Sequence, residues 1–242
     1  LLSMLGNTAL YAILRFHVVA VGTLGPAFSS HLLLALGLVS LGWAVLFILV
    51  QRDFKRLLAY SSVEHMGLIC IGVGLGGQVG IFGALLQLIG HAMAKSLLFM
   101  TAGKVEHRYH SPRMERIHGV LTTLPVTGPL LVIGTLAITG APLTGLFLSE
   151  FNIVSAGFTT GRAWVAVLVL LGIALAFAGM MLHLRDMLLG EAPHGILVGE
   201  RFSWDTIPLL LPAVVVVALG LWVPPYLAQV IWQIAHLLGG GV

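Results

Sequence analysis

The chain has 242 residues, of which 58% are hydrophobic and only 9% are charged, with a formal net charge of +3. Soluble domains carry roughly a quarter charged residues, so this composition excludes that class and indicates a membrane protein. The basic residues are scattered singly among apolar runs and form no stripe with aromatic residues, which excludes a nucleic-acid-binding protein.

Four segments without Asp, Glu, Lys or Arg exceed the roughly 20 residues that a bilayer crossing needs. They lie between Arg15 and Arg52, from His65 to Ala94, from Ile117 to Ser149 and from Thr206 to Val242. None shows the alternation of apolar and polar residues that is typical of a transmembrane barrel strand. The sequence therefore predicts an all-α, polytopic helix bundle in contact with the lipid bilayer.

Turn residues and charges divide these segments into seven predicted spans. The spans cover residues 1–22, 32–50, 57–75, 79–103, 119–157, 163–184 and 207–235. The fifth span is too long for one straight crossing, and it contains the stretch Gly140-Ala-Pro-Leu-Thr-Gly145. Proline interrupts helical hydrogen bonding, so this span is either one broken helix or two separate spans.

The distribution of basic residues favours one broken helix, because cytoplasmic loops collect Lys and Arg. With a single crossing, three basic loops share one side, and the loops on the other side hold only Arg162. The shared side has nine basic residues: Arg52, Lys55, Arg56, Lys104, Arg108, Arg113, Arg116, Arg185 and Arg201. We therefore predict a broken helix, a feature that transporters often place at their ion site.

Lys95 lies near the middle of the fourth span, where a lysine on a lone helix costs roughly 2.5 to 3.5 kcal/mol. Gln87, His91 and Lys95 follow each other at four-residue spacing, so they form one polar stripe on an apolar helix. This stripe must face the interior of the bundle. A snorkelling or structurally paired lysine is the alternative, but the depth favours a proton or ion pathway.

Three further ionisable residues fall within predicted spans. Glu64 and His65 lie in the third span, close to the basic loop. Pairing of Glu64 with Arg56 therefore explains its presence as well as proton transfer does. Glu150 follows the proline break, and its predicted burial in the second half of the broken helix favours a functional role.

The remaining polar residues indicate no cofactor, metal or catalytic site. His107, His110 and His118 lack the spacing of a metal site and are expected on a solvated face. Arg15 and His17 are expected at the membrane interface, where the first span ends. Without a nucleophile or a metal cage, the chain is not expected to be an enzyme by itself.

Three motifs together resemble the antiporter-like membrane subunits. They are Asp53-Phe-Lys-Arg-Leu-Leu-Ala-Tyr-Ser-Ser-Val-Glu-His-Met-Gly67, His91-Ala-Met-Ala-Lys-Ser-Leu-Leu-Phe99 and Gly140-Ala-Pro-Leu-Thr-Gly-Leu-Phe-Leu-Ser-Glu-Phe151. That family covers the proton-pumping subunits of complex I, the large subunits of multisubunit sodium/proton antiporters and the membrane subunits of group 4 hydrogenases. The Ser-Val-Glu-His-Met and Leu-Ser-Glu-Phe forms are most similar to the hydrogenase-4 component F branch.

The resemblance implies an inverted-repeat fold of about fourteen helices, of which residues 1–242 would be the C-terminal portion of a single domain without its N-terminal half. It implies that Lys95 is the central lysine of the second half-channel, that His91 lies on the connecting hydrophilic axis and that Glu150 is the terminal protonatable residue. His65 matches a position that is often polar. It also implies other membrane and peripheral subunits as partners, and the cytoplasmic membrane of a prokaryote as the location.

The resulting hypothesis is a proton-translocating subunit of a redox-driven complex, of the hydrogenase-4 or NADH:quinone oxidoreductase type. Its proton-transfer residues are Lys95, His91, Glu150, Glu64 and His65, and no cofactor is expected. A sodium/proton antiporter subunit is the first alternative, because it shares these residues. The second is a membrane scaffold in which the polar axis is inert.

Overall fold

Apolar helices make up almost all of the fold. The computed structural model describes residues 2–193, 195–200 and 204–239, and ten α-helices lie within these ranges: α1 (Leu2–Leu24), α2 (Pro26–Val50), α3 (Phe54–Leu75), α4 (Gly77–Tyr109), α5 (Val120–Thr123), α6 (Thr127–Ile138), α7 (Gly145–Thr159), α8 (Ala163–Leu189), α9 (Ile207–Leu221) and α10 (Pro225–Gly239). Six of the described segments are long and apolar enough to cross a membrane: those of α1, α2, α3, α4 and α8, and α9 with the turn before it. The predicted all-α polytopic class is confirmed.

Glycines allow the central helices to approach closely. A Cβ atom on Gly37 of α2 would lie 2.8 Å from the carbonyl oxygen of Gly67 of α3. A Cβ atom on Gly67 would likewise lie 2.8 Å from the carbonyl oxygen of Gly37. Gly72 of α3 and Gly80 of α4 oppose each other in the same way, at 2.9 Å and 2.7 Å. Small residues at facing positions let helix backbones touch, which is a main source of packing energy within membranes.

Three loops meet at one end of the bundle. The backbone N–H of Phe54, after α2, donates to the carbonyl of Pro112, after α4, at 3.0 Å. The guanidinium of Arg108 donates to the carbonyl of Leu197, in the loop between α8 and α9, at 2.6 Å. These are the three loops predicted to share one side, and we call this end of the molecule the basic end.

The segment from α5 to α7 crosses the bundle once. Glu200, at the basic end, accepts hydrogen bonds from the backbone N–H (2.8 Å) and the hydroxyl (2.6 Å) of Thr127 at the start of α6. Beyond α7, Arg162 donates to the carbonyl of Gly74 at the opposite end, at 3.1 Å. At 1.5 Å per residue, α6 and α7 are about 18 and 22 Å long, so neither alone spans a bilayer core of about 30 Å. The prediction of one broken helix is confirmed.

The predicted seventh span, residues 207–235, is interrupted, which the sequence prediction missed. Helix α9 ends at Leu221, and α10 begins at Pro225. The end of α9 meets the break between α6 and α7: a Cβ on Gly220 would overlap the carbonyl of Leu143. Helix α10 then continues away from the basic end, because its Trp232 stacks on Phe82, near the start of α4, at 4.7 Å.

The first two predicted spans are also longer in the structure. Helix α1 continues to Leu24, and α2 begins at Pro26 after the positive-φ residue Gly25. His17 is buried, and its Nδ1 lies 2.6 Å from the hydroxyl of Ser29. The expectation that His17 ends the first span at the interface is therefore wrong, because Ser29 gives its ring a partner inside the α1–α2 pair.

Candidate functional site

Lys95 is completely buried in the middle of α4. Its ammonium group donates to the hydroxyl of Ser61 at 2.5 Å and to the carbonyl of Leu58, both on α3. Among the described residues, no carboxylate lies within ion-pair distance of it. Neutral oxygens therefore hold this lysine, and no structural salt bridge fixes its charge.

His65 links α3 to the end of the first half of the broken helix. Its ring is fully buried, and its Nε2 lies 2.9 Å from the carbonyl oxygen of Ile138, the last residue of α6. A helical carbonyl normally accepts from the N–H four residues later, and here that residue is Pro142, which has no N–H. Helix α6 ends at Ile138 and residue 142 offers no N–H, so this carbonyl has no helical donor, and His65 occupies it.

Gln87 connects His65 to the second half of the broken helix. Its amide nitrogen donates to Nδ1 of His65 at 2.6 Å, and its amide oxygen accepts from the hydroxyl of Ser149 on α7. The Ser149 oxygen also lies 2.7 Å from the carbonyl of Leu146 in its own helix. One side chain on α4 therefore joins α3 to α7.

Glu150 lies against the break itself. It is 6% exposed, and its carboxylate packs so closely on Gly140 that a Cβ atom there would overlap a carboxylate oxygen. Gly140 also has φ of 65°, a conformation that glycine adopts readily. The Gln87 side chain also interacts with the Glu150 carboxylate. The interrupted backbone thus creates the space that the acid occupies.

His91 lies between the two halves of the site. Its ring centroid is 5.1 Å from that of His65, and it is one helical turn from Lys95. Neither of its buried ring nitrogens has a hydrogen-bond partner among the described residues. A buried imidazole without partners is uncommon, and this one is close to two ionisable side chains, His65 and Lys95.

Glu64 is 4% exposed and interacts electrostatically with both Lys95 and Glu150. None of the ion pairs among the described residues joins it to Arg56, which is exposed. The alternative in which Glu64 serves only to pair with Arg56 is therefore not what the structure shows.

These side chains lie next to one another inside the bundle, and we call them the buried polar row. Its members come from α3, α4 and α7: Ser61, Glu64, His65, Gln87, His91, Lys95, Ser149 and Glu150. The sequence predicted five of them as site residues, and it placed Gln87 on the same stripe. Ser61, Ser149 and the Ile138 carbonyl were missed; only the spacing from Ile138 to Pro142 could have indicated the free carbonyl.

The fold and the buried polar row define a class: polytopic α-helical membrane proteins with ionisable side chains beside a broken helix. A family model described as "NADH:quinone oxidoreductase/Mrp antiporter, TM" matches residues 1–176. The chain belongs to this family.

The chain is similar to a hydrogenase-4 component F homolog from Methylacidiphilum infernorum, with 35% identity over 92% of this chain and 46% of that protein. Two solved structures share its fold. A chain of the Mrp complex from Dietzia sp. is 20% identical, with a TM-score of 0.88 over 98% of this chain and 52% of that one. A chain of respiratory complex I from Thermus thermophilus is 25% identical, with a TM-score of 0.84 over 96% of this chain and 49% of that one. The chain thus spans about half the length of these relatives.

Proposed function

We propose that the chain is part of a proton-translocating membrane subunit of a redox-driven complex, in which the buried polar row carries the proton. The observation that supports this most directly is the environment of Lys95. A lysine buried without an anionic partner is costly in a membrane and is retained where its charge changes during function. Names of related proteins, such as hydrogenase-4 component F and respiratory complex I, support a redox-driven role.

In this proposal Lys95 alternates between charged and neutral forms. When it is charged, the Ser61 hydroxyl and the Leu58 carbonyl stabilise the ammonium group. When it is neutral, the amine accepts a proton from the neighbouring groups. Moving one charge against 100 mV requires about 2.3 kcal/mol, and a change in the charge of one buried neighbour is of that size. Redox chemistry in partner subunits would drive that change.

His91 and His65 would carry the proton between Lys95 and Glu150. Their rings are adjacent, and the free nitrogens of His91 can turn towards either neighbour. Glu150, at the break, would be the terminal group of the row. Other membrane subunits, peripheral redox subunits and the surrounding lipid are the partners that this role requires, because the chain itself carries no redox group in the proposal.

The test is proton uptake, measured together with electron transfer, in inverted vesicles that carry the full-length protein within its complex. We expect Lys95→Ala to lower uptake about 100-fold, the contribution typical of a positioned proton-transfer group, while the complex still assembles. Lys55→Ala is the matched control, since Lys55 is an exposed residue of α3 that pairs with Glu106. Full pumping by Lys95→Ala would contradict the proposal.

A sodium/proton antiporter subunit is the second candidate, favoured by the family description and by the fold shared with the Mrp complex chain. Sodium-dependent proton movement without any electron donor would support it. A scaffold with an inert polar row would instead tolerate joint replacement of Lys95 and Glu150 without lost transport in either assay.

A further inference from the structure

The hydrogen bonds around Gln87 have a fixed direction. A carbonyl oxygen can only accept, so the contact between Nε2 of His65 and the carbonyl of Ile138 requires a proton on Nε2. Neutral His65 then has a bare Nδ1, which can only accept. The Gln87 amide must therefore present its NH₂ group to His65, and its oxygen points at Ser149.

Both ends of the Gln87 amide are in use. Its nitrogen donates to Nδ1 of His65, and its oxygen accepts from the hydroxyl of Ser149. The side chain has no exposed surface, so water cannot replace any of these partners from outside. A primary amide does not gain or lose protons under physiological conditions, so Gln87 cannot pass a proton from one end to the other.

Protonation of His65 reverses which end of the Gln87 amide, the NH₂ group or the oxygen, must face the imidazole ring. When a proton binds Nδ1 of His65, the ring nitrogen becomes a donor, and it faces an N–H of the amide, which is unfavourable in a buried site. A half-turn of the Gln87 amide about its last bond restores the hydrogen bond by bringing the oxygen to His65. The amide then presents its NH₂ to Ser149, whose hydroxyl turns to the Leu146 carbonyl, already 2.7 Å away.

From this we propose that Gln87 is an orientation switch that couples the protonation of His65 on α3 to the hydrogen bonding of Ser149 on α7. No covalent bond of Gln87 changes in the switch. The proton reaches His65 from the adjacent ring of His91 and leaves it towards Glu150, as in the proposed function, and the amide only rotates. Gln87 is thus a positioning residue that joins the two halves of the buried polar row. This inference rests on the proposed proton-translocating function.

Three variants test the switch in the same vesicle assay. Gln87→Met keeps the side-chain length but removes the donor and the acceptor, and we expect proton uptake to fall about tenfold, the size typical of one buried hydrogen bond. Gln78→Met is the matched control, because Gln78 lies on the same helix and is exposed. We expect its uptake to equal that of the unaltered protein.

Gln87→Glu separates a switch from a merely structural contact. An ionised carboxylate accepts from both protonated His65 and Ser149 without rotating, so uptake should be retained. The added anion favours the protonated form of His65, so the pH range of uptake should move to higher pH. The other ionisable groups of the buried polar row, Glu64 on α3, His91 and Lys95 on α4 and Glu150 on α7, are unchanged in this variant.

Normal uptake by Gln87→Met, or an unchanged pH profile of Gln87→Glu, would overturn the switch. Lys95→Ala keeps this failure distinct from failure of the proposed function. Lost uptake in Lys95→Ala with normal uptake in Gln87→Met would leave proton translocation in place without the switch, whereas normal uptake in both would reject both proposals.

Discussion

At the scale of single residues, the contact between Gly140 and Glu150 places an acid inside the membrane. Gly140 has φ of 65°, and the Glu150 carboxylate occupies the position that a Cβ atom would take. A side chain at residue 140 would therefore meet two separate costs, a backbone conformation that L-residues avoid and a direct overlap with the acid. The position of Glu150 depends on the absence of any side chain there.

Replacing this glycine should displace Glu150. We expect Gly140→Ala to destabilise the protein by more than about 1 to 2 kcal/mol, the cost of the left-handed conformation alone, and to lower proton uptake. Thermal unfolding of the detergent-solubilised complex and vesicle uptake measure the two effects. Gly161→Ala is the control: its φ is 72° but nothing lies within 4 Å of a Cβ there, so equal effects in both variants would show that the Glu150 contact contributes nothing.

The ionisable members of the row could be predicted from the sequence, because a charge within an apolar run needs a reason. The serine hydroxyls of the row could not be predicted from the sequence. Ser61 and Ser62 are adjacent, and both donate to the Leu58 carbonyl, at 3.1 and 3.4 Å. Only Ser61 also contacts Lys95. Serines that satisfy themselves on their own helix carry no sequence signal for their second partner, which packing alone selects.

At the scale of helices, Pro142 acts on a residue one turn earlier. It leaves the Ile138 carbonyl without a helical donor, and His65 uses that carbonyl to hold its tautomer. The break between α6 and α7 is therefore connected to α3 by one hydrogen bond. It follows that the proline has an electrostatic role in the site in addition to ending the helix.

Restoring the missing N–H should disturb His65. In Pro142→Ala, α6 can extend through residue 140, and the new N–H can then bond the Ile138 carbonyl and remove it from His65, so we expect proton uptake to fall about tenfold while the complex assembles. Vesicle uptake and the yield of purified complex are the measurements. Pro129→Ala, an exposed position in the first turn of α6, serves as the control. Unchanged uptake in Pro142→Ala would show that His65 does not need this acceptor.

The second interruption shows where sequence reasoning about helices failed. The segment 207–235 contains no Asp, Glu, Lys or Arg, so its composition predicted one span. The pair Pro224-Pro225 marks the actual boundary, because proline lacks the N–H that would continue α9 and is well tolerated at the start of α10. Packing against Leu143, which itself has φ of 73°, then fixes the end of α9 beside the first break.

At the scale of the whole molecule, the charged loops define two ends of the bundle. Three loops with most of the basic residues meet at the basic end, and Arg162 lies at the other. Because basic loops remain in the cytoplasm, this end should face the cytoplasm. Helix α10 should end on the opposite side, since Trp232 already stacks near the start of α4.

Labelling single cysteines with a membrane-impermeant maleimide tests this orientation in the full-length protein, in a Cys70→Ala background that removes the cysteine of α3. We expect Arg116→Cys to react from the cytoplasmic side, and Thr160→Cys and Leu237→Cys to react only from the other side. Leu237 is 84% exposed, so failure to react would not come from burial. Cytoplasmic labelling of Leu237→Cys together with Arg116→Cys would show that α10 turns back, and that α9 and α10 do not form one broken crossing.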